Sequence, residues 1–415
     1  MWWGPTALAR LATGVSAMAV VVVLALIPPS PFCIPLKVAA SNEKSALLVV
    51  LADEYEKRRP VVNGRCVDVQ IFRVPSGEAE AALARGWDPN SDGAPEPDVW
   101  SPAATTWVNL LDFHRQAAGL AKIGPPGPPS IVQSPLAIAM LKPMAEALGW
   151  PEKEIGWAEI FALAQDPHGW ARYGHPEWGQ FRLGKTNPNF STSGLNATIG
   201  AYFAATRLSS DLTEKDLSSP KTRKFVEGVE RSVVHYGDTT LTFLSNLQRA
   251  DDQGAGLSYI SAVAVEEKSV WDYNQGNPTG DPATLGRHPK PKVPLVAIYP
   301  KEGTLLSDHP WVVLTAPWVD DAKRKAGADL LAYLQAAGAR AKFQEFAFRD
   351  GQAKPGPLVT ETNGLLRDEP KALLAPPAPR VLDKLLQSWE PAQAGQRAAG
   401  DGHLGLDGGA GGWDR

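Results

Sequence analysis

The chain of 415 residues holds two cysteines, Cys33 and Cys66, and seven scattered histidines. Two cysteines exclude a disulfide-dense scaffold and are too few for a cysteine-rich zinc site. Among His114, His168, His175, His235, His288, His309 and His403 there is no i, i+4 pair and no His-Glu-x-x-His, so a helical zinc site is not expected. Gly-x-Ser-x-Gly is missing as well, which removes the nucleophile-elbow hydrolases. No block of five or six like charges occurs, and the net charge is −4. Coating a nucleic acid needs a basic face, so nucleic acid is not an expected partner. Apolar residues at 44% and charged residues at 21% exclude wholesale disorder. The length is too great for one compact core and suits two lobes.

Long uncharged runs are rare, and the one that stands out comes first. Arg10 precedes Leu11 to Ile27, which carries no charge and ends at Pro28–Pro29. It is about the minimum length to span a bilayer. The preceding positive charge would hold the N-terminus inside and export the rest. The expectation is a signal anchor in 1–32, with lipid contact through 11–27, a single-pass cell-membrane location and an extracytoplasmic body; a cleaved signal peptide is the alternative. Outside the cytoplasm, Cys33 and Cys66 are expected to pair, with two buried free thiols as the alternative.

From residue 33 the pattern alternates strand and helix. Leu36–Ala40 reads as a strand, and Ser41 as the N-cap of a helix carrying Leu47, Leu48, Leu51 and Tyr55 to one face. Val67–Ile71 alternates as a half-buried strand does. Ser76–Gly77 opens a helix to Arg85, Asp98–Trp100 is a short strand, and Ser101–Pro102 leads to a helix from Trp107. Further on, Ile131–Met140 and Val293–Pro300 are extended, Gly184–Pro188 reads as a turn feeding a helix from Ser193, and Asp320–Ala337 is the last strong helix. Such alternation predicts an α/β fold with mostly parallel sheets in two lobes. Two crossovers, near Ser130–Met140 and Val293–Tyr299, would form the hinge. The expected organisation is 33–130 and 293–375 in the first lobe, 131–292 in the second, then a linker and short helix over 376–390 and a disordered tail over 391–415.

The order Ala39–Ala40–Ser41, Pro75–Ser76–Gly77, Pro97–Ser101, Gly184–Pro188 and Ile298–Pro300 resembles that of the bacterial extracellular solute-binding proteins. Within them it is most similar to the molybdate- and sulfate-binding branch, and to membrane-anchored modules that precede a von Willebrand factor A-like domain. The resemblance implies a two-lobed periplasmic-binding-protein-like fold that closes on a ligand. It also implies a small polar solute or oxyanion as ligand, and no catalysis, metal or cofactor. Helix N-termini at Ser41, Ser76, Ser101 and Ser193 would converge on the cleft and offer N–H groups and hydroxyls. Thr186, Asn187, Ser191, Thr192 and Ser193 form the densest polar cluster, and Tyr236 and Glu266 complete the candidate ligand-binding set. Trp100 and Trp271 are further stacking candidates, against the plainer reading of core packing. Glu43, Lys44, Glu266 and Glu267 depart from an oxyanion site and admit a cationic or neutral ligand equally.

Gly179–Thr186 fits the phosphate-loop spacing, but His175–Pro176 before it and Asn187–Pro188 after it fit neither the strand nor the helix the loop requires. The Gly400–Gly405 glycine motif has no strand before it. Back-translated codons for Ala392–Arg415, read one nucleotide on, permit an apolar strand followed by Asp-Ile-Ser-Gly-Ser. A frameshift near Glu390–Pro391 that truncates a cation-binding domain is therefore one expectation, and a natural tail the other. The functional expectation is a membrane-anchored solute-binding protein that acts with a membrane or envelope protein partner. The alternative is an envelope adhesion or assembly protein in which the binding fold is only a scaffold.

Overall fold

The computed structural model describes residues 32–400 apart from Asp238, and from 390 onward the backbone alone. The apolar run 11–27 and residues 401–415 lie outside the described residues. Among those described, no helix is long and apolar enough to cross a membrane.

Strand β1 (Cys33–Ala40) leads into α1 (Asn42–Lys57), β2 (Val61–Val62), β3 (Arg65–Arg73), α2 (Ser76–Arg85), β4 (Val99–Ser101) and α3 (Thr105–Ala117). In β1 the side chains of Ile34, Leu36 and Val38 are buried on one face, the period of two that the sequence shows. These strands form a five-stranded sheet in the order β11-β4-β1-β3-β2, where β11 is Val312–Val313. Cys33 and Cys66 are register partners on β1 and β3 and form a disulfide across 33 positions. In the chain-entropy picture, closing that loop stabilises by roughly 4 kcal/mol.

The second sheet has six strands: β5 (Ser134–Leu141), β6 (Leu183–Thr186), β7 (Val233–Gly237), β8 (Ala262–Glu266), β9 (Leu295–Ile298) and β10 (Leu306–Ser307). Between its strands lie α4 (Lys142–Ala147), α5 (Trp157–Gln165), α6 (Thr192–Thr206), α7 (Glu214–Ser218), α8 (Pro220–Arg231), α9 (Thr240–Asp252), α10 (Gly256–Tyr259) and α11 (Glu267–Asn274). The sheets are mixed, which corrects the expectation of mostly parallel strands. β1 is parallel to β3 and β4, and β6 to β7 and β8, but β5 runs antiparallel to β8, β9 and β10. The stretch 184–186 is a strand, not a turn. Gly184 serves there because any Cβ would lie 2.1 Å from the Phe243 ring.

Two chain segments cross between the sheets side by side and antiparallel. Trp311 N–H donates to Pro129 O (2.9 Å), Ile131 N–H to His309 O (3.2 Å) and Leu136 N–H to Leu305 O (3.0 Å). The return crossing is therefore Leu305–Trp311, later than the expected Val293–Tyr299, because β9 pairs with β5 inside the second sheet. His309 sits in this crossing with a positive φ of 39°, a region that few side chains adopt.

After α12 (Asp321–Leu334) and α13 (Ala337–Gln344), the last helix α14 runs Pro379–Gly400, past residue 390 where the composition reading ended the helix. It packs on α3 of the first sheet's lobe and on α7 of the second's. Leu382 and Leu385 of α14, Trp107 and Leu110 of α3, and Ile199 and Phe203 of α6 share one apolar cluster. Each such fully buried side chain contributes about 1.5–3 kcal/mol. The other, larger cluster includes Ile34, Leu36 and Val38 of β1 and the strands of the second sheet.

Candidate functional site

Several helices begin at one crevice between the lobes. Ser41, Asn42 and Glu43 open α1, and Pro75 and Ser76 open α2. Phe190, Ser191 and Thr192 open α6, and Thr239 precedes α9. The enclosing strands β1, β3, β6 and β7 end one to four positions before these residues. The crevice thus lies beyond strand carboxyl ends, where open α/β sheets bind ligands. As it stands the crevice is nearly closed, with a cavity volume of about 10 Å³, room for about one water.

The first N–H groups of a helix have no partner within it. In α1, α2 and α6 the residue before the helix does not cap them with its side chain. Helix α9, by contrast, is capped by Thr239, whose Oγ1 accepts from Thr242 N–H at 3.3 Å. Three helix starts from two lobes therefore face one space, with Glu43 N–H of α1 engaged by its own carboxylate and Gly77 N–H of α2 by the other lobe. The lobes touch around it. Gly77 N–H at the start of α2 donates to Phe190 O (3.1 Å), and Trp107 Nε1–H of α3 donates to Thr192 Oγ1 (2.8 Å).

The crevice hydroxyls are held from behind. Ser41 Oγ accepts from Lys44 Nζ (2.7 Å), Ser76 Oγ from Ala103 N–H (3.0 Å), and Ser191 Oγ from Thr186 Oγ1 (2.8 Å). A hydroxyl has one proton and two lone pairs, so each keeps both a donor and an acceptor position toward the crevice.

The sequence-predicted residues divide accordingly. Ser41, Ser76, Ser191 and Thr192 meet at the crevice, and Thr186 orients Ser191 from behind. Asn187 turns its Oδ1 to Asn189 N–H (2.9 Å) and shapes the loop. Ser193 is buried behind the helix start, with Thr240 Oγ1 at 3.4 Å. Ser101 does not line the crevice; its hydroxyl donates to Pro310 O (2.8 Å) in the return crossing. Tyr236 is also elsewhere, donating to Glu230 Oε2 (2.7 Å) with its ring edge-on to Trp389. Trp100 and Trp271 are core residues. Lys185 lies in β6 paired with Glu230, so the phosphate-loop spacing has no loop behind it. Asn42, Phe190 and Thr239 were missed; the repeated threonines of 239–242 were the available signal for the last.

Behind the crevice lies a buried polar relay. Lys44 Nζ, with no exposed surface, reaches Ser41 Oγ, Ser101 O (2.8 Å), Pro102 O (3.0 Å) and His309 Nδ1 (3.2 Å). His309 Nε2 faces Glu266 Oε2 at 3.2 Å. Burial holds His309 neutral, well below the usual range, so Nδ1 accepts from Lys44 and Nε2–H donates to Glu266. The relay links α1 of one lobe to β8 of the other through the return crossing. Glu266, expected at the cleft, is its buried end.

These shifts set the pH dependence. Burial pushes Lys44 down from 10.5 to about 7. The unfolded chain then holds more protons between those values, and stability rises with pH across that window. Burial pushes Glu266 up from 4.5 to about 7 and Asp272 from 3.8 to about 6. There the folded state holds the extra protons, so stability falls as pH climbs through 4 to 7. Urea unfolding between pH 5 and 10 is expected to show this reversal of slope near neutrality. Lys44→Met is expected to remove the rising limb and Glu266→Gln to shrink the falling one; an unchanged slope above pH 7 in Lys44→Met contradicts the assignment.

Among the described residues no group of three or more His, Cys, Asp or Glu side chains is placed to hold a metal ion. An uncharacterized protein of Mycobacterium tuberculosis, from strains H37Rv and CDC 1551, is 23% identical over 309 residues, 73% of this chain. The chain spans 40% of the length of these relatives. A periplasmic thiamin-binding protein superposes with TM-score 0.54 at 12% identity, over 88% of this chain and 97% of that one. The binding protein AfuA from Actinobacillus pleuropneumoniae, with fructose-6-phosphate bound, does so with TM-score 0.53 at 15% identity, over 86% and 98%. The family model for bacterial extracellular solute-binding proteins matches residues 36–349, and the chain belongs to that family.

Proposed function

We propose that this chain is a non-catalytic receptor that captures a small polar solute outside the cytoplasm by closing two lobes over it. The observation that carries the reading is the convergence of three helix starts, two from one lobe and one from the other, on one crevice, none capped by the side chain of the residue before it. Donors left open at a helix start are a ready site for a polar ligand, and only a closed arrangement brings all three together. The superposed proteins carry thiamin or a sugar phosphate by name, so the fold itself does not select the solute. Anchoring through 11–27 and recognition of the closed form by a membrane or envelope partner belong to the same proposal. So does a further domain in the longer protein, for which the greater length of the mycobacterial relatives leaves room.

A thermal-shift series on the full chain tests this, using sugars, amino acids, thiamine, sulfate and molybdate. A bound solute at a hundred times its Kd is expected to add about 2.7 kcal/mol of stability. No stabilisation by any class favours a second reading, that the fold is a rigid scaffold. One observation supports that reading: the apolar cluster of α3, α6 and α14 runs across both lobes, and opening would expose part of it.

A further inference from the structure

Between Glu56 and Asp68 the chain carries Lys57, Arg58, Arg59 and Arg65 and no acid. The fold gathers these at the edge where β1 and β3 begin, since the end of α1, the edge strand β2 and the turn into β3 lie there. Two apolar side chains join them. Phe32 is 78% exposed and Val61 69%, more than any other large apolar side chain among the described residues. Strand pairing brings the two together. Val61 is opposite Cys66, which is opposite Cys33 and bonded to it, and Phe32 is next in the chain. Arg65 reaches back to donate to Cys33 O (2.6 Å), and Arg58 lies over the Tyr333 ring at 4.5 Å. Arg59 is exposed, and no carboxylate among the described residues pairs with it. The nearest acids are already engaged. Glu56 accepts from Val69 N–H (2.5 Å), Glu54 from the Tyr333 hydroxyl (3.2 Å) and Asp68 from Gln70 (3.0 Å), while Asp53 pairs with Lys57. The corner therefore keeps three arginines in excess beside two exposed apolar side chains.

We infer that this corner rests on an anionic phospholipid surface, with Phe32 and Val61 in the headgroup layer and Arg58, Arg59 and Arg65 against the phosphates. Apolar side chains ringed by basic ones suit such an interface, where buried apolar area and attraction to anionic lipid add. The place of the corner in the chain favours lipid over an acidic protein. Ile27, the last residue of the apolar run, is five positions before Phe32, and five residues reach at most about 18 Å. A bilayer spanned by that run lies within this distance of the corner. The other end of the same strand shows what the contact does. β1 runs from Cys33 to Ala40, directly before Ser41 of the crevice, and rises about 26 Å over that length. Resting on the corner thus turns the crevice away from lipid, toward the side from which solute arrives. The inference rests on the anchoring proposed for 11–27 and adds a contact made by the folded body.

The test places the full chain in vesicles of phosphatidylcholine, alone or mixed with phosphatidylglycerol, and reads flotation and amide hydrogen exchange. Flotation reports the anchor, and exchange over 58–65 reports the corner. The expected result is exchange over 58–65 at least about threefold slower in the phosphatidylglycerol vesicles, with no change over 208–213 in the second lobe. High salt is expected to abolish the difference by screening. A double variant, Arg59→Glu with Val61→Asp, is expected to float as the wild type does and to lose the slowing. Both positions are exposed, so the variant is expected to fold, and its unfolding curve checks that. Flotation with equal exchange in both vesicle types overturns the inference while the anchoring stands. Slowing that persists in the double variant or at high salt also overturns it. Slowing by polyglutamate and not by vesicles would make the corner a protein-docking face instead. No flotation with either lipid removes the anchor, and the inference falls with it.

Discussion

Gly77→Ala is expected to hold the lobes apart while leaving each folded. A Cβ at Gly77 would lie 1.9 Å from Asn189 O and 2.9 Å from the Trp107 ring. The carbonyl belongs to backbone on the other lobe and cannot rotate aside as a side chain would. Within α2, alanine is a better helix former than glycine by about 1 kcal/mol, so the penalty falls on lobe contact and not on the helix. The Gly77–Phe190 hydrogen bond is lost with it. Small-angle scattering should give a larger radius of gyration for the variant than for the wild type. If the closed form drops to about 1% of molecules, the apparent Kd for the solute rises about a hundredfold. An unchanged radius with unchanged affinity would mean that the 77–189 contact is not part of closure.

The largest loss of stability is expected from Arg349→Met. Arg349 follows α13 and reaches Glu267 at the start of α11 with two hydrogen bonds, Nε to Oε1 at 2.9 Å and Nη2 to Oε2 at 2.7 Å. Tyr299 donates to the same carboxylate at 2.5 Å, and the Arg349 backbone bridges to Gln133 in the outgoing crossing. Glu267 has no exposed surface. Removing the guanidinium leaves a buried carboxylate with one hydroxyl partner, and breaking a pair of this kind costs about 3–5 kcal/mol. Urea unfolding measures the loss. Adding Glu267→Gln to the variant should restore part of it, because the uncompensated charge goes; a double variant as unstable as the sum of the two singles would contradict that account.

Much of the first lobe was legible because its signals are local. Ile34, Leu36 and Val38 alternate, Leu47, Leu48, Leu51 and Tyr55 repeat at helical spacing, and export made the pairing of Cys33 with Cys66 readable. The second lobe was less so. Val233–Gly237 is only five residues long and closely follows α8, so β7 carries little pattern of its own. Gly184–Lys185–Thr186 looks like a turn and becomes a strand because Phe243 fills the space a side chain would take. Strand direction was misjudged at β5, since alternating strands and helices say nothing of which neighbour a crossing strand will choose.

The site shows the same division. Serines at helix starts are visible in any sequence, but whether they cap their own helix depends on which other groups reach their oxygen. Ser41 gives its oxygen to Lys44, and Ser76 to Ala103. Ser101 looks identical to them in sequence and turns instead to Pro310. Lys44 and Glu266 stood out as misfits for an oxyanion cleft, and the reason appears only in the fold, where His309 joins them across the crossing strands.

The most direct measurement is the distance between spin labels on the two lobes, with and without the solute that most raises Tm. Val49 on α1 and Val234 on β7 are exposed, and the native cysteines are held in the disulfide, so Val49→Cys and Val234→Cys can be labelled selectively. The expected result is a broad distribution without solute that collapses to its short end when solute is added, and no collapse when Gly77→Ala is present. A single narrow distance, unchanged by solute and by Gly77→Ala, would contradict lobe closure and leave a rigid scaffold in its place.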